Sequence, residues 1–247
     1  MYKQSLHALE EAGDMPSVGR TLGNLGVVYE LKGEYDQAIK YLQKSIEILY
    51  ALGDVRGVAH AWHCLGSVHS QKGDWNRALG YFQQSISVLD RIGDVHGIAH
   101  AQLGLGALHR RQGQRDQAIR AYRLGQATFE RLRDSHGIAE AQLSLGLVYA
   151  DKGEHDRASD MYRQSLKTFQ RLGDMHGMAS NWTNMALLYL QTDRAEEARP
   201  LLARAYLVHS ELGSPHAETA YDGLVEACGS AEVADAYLAD LAGEGSD

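Results

Sequence analysis

The stretch "AHAWHCLGSVHSQKGDWNRALGYFQQSISVLD", residues 59–90, is one copy of a pattern that recurs along the chain. Extended by a few residues on either side, it reads as two segments with apolar residues near helical spacing, one stopping at Gly73 and the other at Gly93. Glycine supplies the left-handed turn that ends a helix, and an aspartate such as Asp74 or Asp94 can accept amide hydrogens at the start of the next. Two helices of about 17 residues, each about 25 Å long, joined by a short turn, make an antiparallel hairpin.

The hairpin recurs every 40 residues. "GD" stands at Gly13-Asp14, Gly53-Asp54, Gly93-Asp94 and Gly173-Asp174, with Arg133-Asp134 and Gly213-Ser214 completing the series. Gly26, Gly66, Gly106 and Gly146 share one phase with Ala186, and Gly33, Gly73, Gly113 and Gly153 share another with Asp193. Ala38, Ala78, Ala118, Ala158 and Ala198 form a third series. Glycine inside a helix costs about 1 kcal/mol relative to alanine, so the first series predicts close approach to large partners such as Leu42, Phe82, Tyr122 and Tyr162. Each repeat then stacks on the next around a continuous core. The boundaries predicted are full repeats at 15–54, 55–94, 95–134, 135–174 and 175–214 within one repeat domain, 1–247. A degenerate capping pair at 215–243 and a frayed tail at 244–247 follow.

Residues 1–14, "MYKQSLHALEEAGD", match the second helix of a repeat, with Tyr2, Gln4, Ser5 and Leu6 in register with Tyr162, Gln164, Ser165 and Leu166. An unpaired second helix leaves one packing face uncovered, so fraying or self-association through that face is expected, as is a longer array of which this chain is a part.

Trp62, Leu65, Gly66, Gly73, Ala78, Phe82 and Ser85 together resemble a tetratricopeptide repeat. The longer period and the pattern "LG...G...A...YxQSL...LGD" are similar to the repeats of spindle-orientation G-protein modulators and of bacterial signal-transducing ATPases and transcriptional regulators. The resemblance implies an all-α, right-handed superhelical solenoid whose first helices line a concave groove. It implies a protein or peptide partner held there by Arg20, Asn24, His60, His63, Ser67, His100, Leu103, Arg110, Glu140, Leu143, Thr183 and Asn184. Asparagine at the phase of Asn24 and Asn184 contacts peptide backbone in such relatives, and the three repeats between them carry Cys64, Gly104 and Ser144 instead.

Composition bounds the remaining classes. Cys64 and Cys228 have neither disulfide-framework nor zinc spacing, and there is no leader or long apolar run, so a cytoplasmic protein without a membrane partner is expected. The net charge of -8 is concentrated at the end, with nine acidic residues and no lysine or arginine from Glu211 to Asp247. Arg110, Arg111, Arg115, Arg120 and Arg123 form a basic cluster, but an acidic chain does not have the basic stripe of a nucleic-acid binder.

No phosphate loop, H-E-x-x-H or nucleophile elbow occurs, so neither catalysis nor a cofactor is expected. The twelve histidines include the pairs His60/His63 and His96/His100, which have no third ligand in sequence, so no metal site is expected either. They predict partner binding that responds to pH between about 6 and 7.5. The leading expectation is a noncatalytic interaction scaffold. The alternative is a sensor or regulatory segment of a larger signalling ATPase or transcriptional regulator, responsive to a peptide.

Overall fold

The computed structural model describes the backbone of residues 2–244 and the side chains of 6–9 and 11–241. The tail expected to fray lies beyond the described residues from 245 on, as do the side chains of Tyr2, Gln4 and Ser5. Among the described residues the chain is all α-helical and forms two compact units, one up to Arg133 and one from Asp134 on.

In the first unit α1 (Tyr2–Glu11) packs on α2 (Met15–Leu31), which pairs with α3 (Tyr35–Ala51). Then come the pairs α4 (Val55–Gln71) with α5 (Trp75–Arg91) and α6 (Val95–Arg111) with α7 (Arg115–Leu132). In the second unit α8 (Ser135–Asp151) pairs with α9 (His155–Leu172) and α10 (Met175–Leu190) with α11 (Ala195–Glu211). The shorter helices α12 (His216–Cys228) and α13 (Ala231–Glu244) follow. Pro200 sits inside α11 without ending it.

Within each hairpin the intrahelical glycines meet the large residues expected of them. A Cβ added at Gly66 would lie 2.9 Å from Phe82, one at Gly106 2.5 Å from Tyr122, and one at Gly146 2.4 Å from Tyr162. The three rings are 1%, 3% and 1% exposed, so the first helix seats its glycine on a ring that has nowhere else to go. A serine clasps the same interface: Ser45, Ser85 and Ser165, all fully buried, donate to the carbonyls of Gly19, Ala59 and Ala139 at 2.7, 2.8 and 2.7 Å.

The turns follow two rules. At the end of each first helix the chain turns through a left-handed residue, and the next amide bonds back into the helix, as in Asp74 N to the His69 carbonyl at 2.9 Å. First helices start on an aspartate cap, Asp54 and Asp94 accepting from Gly57 N and Gly97 N at 2.9 Å each. The second helices of these hairpins have no such side-chain cap, which corrects the expectation for Asp74. Its carboxylate instead faces Nδ1 of the buried His69 at 3.2 Å.

Candidate functional site

In the first unit the helical period puts His60 and His63 on one stripe of α4, and His96 and His100 on one stripe of α6. The packing of α4, α5 and α6 turns both stripes toward a common cleft of about 390 Å³. It is lined by these four histidines together with Arg56, Ser85, Leu89, Asp94 and Gly97. Ring centres lie 6.5 Å apart for His60 and His63 and 4.7 Å apart for His96 and His100. Phe82 holds the edge of His63 at 5.4 Å, and Phe129 that of His100 at 4.9 Å.

Electrostatics set the state of this cleft. Burial, followed by the neighbouring charges of His60 and His100, pushes His63 down to about 4, and burial also lowers His60. His63 is therefore a neutral imidazole at pH 7, with one donor and one acceptor, and its Nδ1 has no hydrogen-bond partner. At the rim, Arg56 Nε meets Asp94 Oδ2 at 2.8 Å while Asp94 Oδ1 caps α6.

The cleft does not present an activated nucleophile among its hydroxyls and thiols. Ser85 spends its proton on the Ala59 carbonyl. Cys64 lies behind His60, Sγ to Nδ1 3.9 Å, and burial, with Glu30 adding to it, pushes its thiol up to about 12, far from a thiolate. What the arrangement offers is hydrogen bonding of both polarities over an apolar floor.

Three profiles of the tetratricopeptide repeat match the chain, one over residues 57–131 and 98–171, the others over 19–49 and 182–204. Together they span more than half of it. The chain belongs to the tetratricopeptide-repeat family. No curated protein matches it in sequence. Among solved structures, NprR in complex with its cognate peptide NprX aligns with a TM-score of 0.74 at 16% identity, covering 97% of this chain and 71% of that one. A Rap protein complexed with Competence and Sporulation Factor gives 0.68 at 17% identity, with 97% and 70% covered. BtubC from P. vanneervenii gives 0.65 at 19% identity, with 85% and 89% covered. At such identities the likeness concerns the fold.

Within this tetratricopeptide framework the residues expected at the groove fare differently. His60, His63 and His100 come together in the cleft. Arg20 and Asn24 are exposed on α2 and do not line it. Ser67 is engaged by Glu30, whose carboxylate also accepts from Gln71 Nε2 at 2.8 Å. Leu103 is half-buried against Gly125, and Arg110 is half-buried near the end of α6. In the second unit Leu143 and Asn184 are half-buried, and Glu140 lies 3.9 Å from His136 Nδ1. Thr183 is only 6% exposed and donates to the Ala179 carbonyl of its own helix at 3.0 Å.

Arg56, Asp94 and His96 line the cleft without having been expected there. The signal was the repeat phase: Arg56 stands where later copies have His96, His136 and His176. That position reaches forward to the cap aspartate of the next first helix, Arg56 to Asp94 in the first unit and His136 Nε2 to Asp174 at 3.1 Å in the second.

Proposed function

We propose that this tetratricopeptide chain is a noncatalytic interaction module that holds a peptide or protein segment, with the histidine cleft of the first unit as a contact point. The observation that carries this reading is the cleft itself, where consecutive first helices place four imidazoles, those of His60 and His63 kept neutral by burial, and an arginine paired with Asp94, beside Leu89 and with Phe82 behind His63. Such a surface suits backbone amides or amide side chains, because it donates and accepts without presenting a bare charge. The absence of an activated Ser85 or Cys64 supports binding over catalysis.

A second reading, a regulatory segment that answers to a peptide, draws support from the NprR structure, a complex with its cognate peptide, and from the Rap protein, which is complexed with Competence and Sporulation Factor. Panning a random dodecapeptide library on the immobilised protein tests both readings. Recovered peptides are expected to bind His60→Ala and Arg56→Ala at least tenfold more weakly than wild type, by calorimetry. Peptides that bind both variants as tightly as wild type would exclude the cleft as the contact point.

A further inference from the structure

At the far end of the second unit the repeat breaks its own rule in the core. The phase occupied by Leu49, Leu89, Phe129 and Phe169, each buried, carries His209 in the last hairpin. His209 is 0% exposed, and neither ring nitrogen has a hydrogen-bond partner. A polar ring buried without partners is costly, and here an apolar ring would have fitted, as Phe169 does against His136 with ring centres 5.5 Å apart.

Two more imidazoles border His209: His176 from the start of α10 and His216 from the start of α12. Ring centres are 5.6 Å apart for His176 and His209, 5.6 Å for His209 and His216, and 6.3 Å for His176 and His216. The point equidistant from the corners of that triangle lies about 3.4 Å from each ring centre, and an imidazole bound to zinc at about 2.0–2.1 Å holds its centre about 3.2 Å from the ion. The ring nitrogens of the three do not all face that point in the structure, so ligation requires a turn of the outer rings; His176 and His216 are exposed and can make it without disturbing the core. Ser214 stands where the other repeats have the cap aspartate, so His176 is not drawn to a carboxylate as His136 is to Asp174.

We propose that His176, His209 and His216 form a three-histidine site for a divalent transition metal of the zinc class, tying α12 to the α10/α11 hairpin. Imidazole suits such ions, and three ligands leave a fourth position for water. The site was not legible from the histidine pairs in the sequence, because its members come from three helices and His209 lies outside those pairs.

The test is calorimetric titration of the metal-stripped full chain with Zn²⁺, with Mg²⁺ as control, for wild type, His209→Phe and His216→Ala. His209→Phe restores the residue that the preceding repeat already accommodates, and His216→Ala changes an exposed side chain, so a folding failure in one leaves the other to decide. The expected result is that both variants take up one equivalent of Zn²⁺ fewer than wild type, and that Zn²⁺ raises the melting temperature of wild type more than that of either variant. Unchanged stoichiometry and affinity in both variants, or no Zn²⁺ uptake by wild type, would overturn the proposal.

Discussion

Gly146 shows how much a single missing methyl group decides. A Cβ there would sit 2.4 Å from Tyr162, whose ring is 1% exposed. Gly146→Ala therefore gains about 1 kcal/mol of helix propensity but forces an overpacked contact costing about 1–3 kcal/mol. A net loss of about 1 kcal/mol in urea unfolding is expected; a variant more stable than wild type would refute the contact. Burial of His63 makes stability depend on pH. Its folded value of about 4 lies below the ordinary 6.5, so between these the unfolded chain binds more protons. Its contribution is complete above pH 6.5 and is lost as the pH falls toward 4, on the order of 3 kcal/mol. Unfolding curves from pH 7 to 4.5 should fall more steeply for wild type than for His63→Leu, and equal slopes would contradict the burial described.

The helix ends obey backbone geometry more strictly than sequence. Glycine has a positive φ at most of the turns, yet Arg133 and Asp193 hold φ of 57° and 58° at the two positions where the glycine phase is broken. A left-handed residue with a side chain costs roughly 1–2 kcal/mol, less for aspartate than for arginine. Arg133→Gly is expected to stabilise the protein by about 1 kcal/mol, read as a higher melting temperature, whereas a lower one would mean the arginine side chain outweighs the strain. Helix positions and the glycine–ring contacts were legible because they follow local period and side-chain size. The caps were only half legible. Glu34, Gln114 and Glu154 are too long to fold back onto the first free amides, and Asp74, short enough, turns to His69 instead.

Across the whole molecule, the 40-residue phase announces hairpins but not which side chains of successive hairpins meet. The histidine pairs on α4 and α6 stand more than 30 residues apart in the sequence, and the packing of those helices brings both into one cleft. Thr183 illustrates the reverse, since its position in the repeat suggested the groove while its hydroxyl is satisfied within its own helix. Repetition makes the fold redundant, so five copies can drift individually without loss of architecture, and that freedom is where binding specificity is written. The proposed function places a peptide in the cleft of the first unit. The most direct test is a titration of ¹⁵N-labelled protein with a library-selected peptide, followed through the imidazole and backbone resonances. The largest shifts are expected at His60, His63, His96 and His100; shifts confined to other surfaces, with these four unmoved, would rule out binding there.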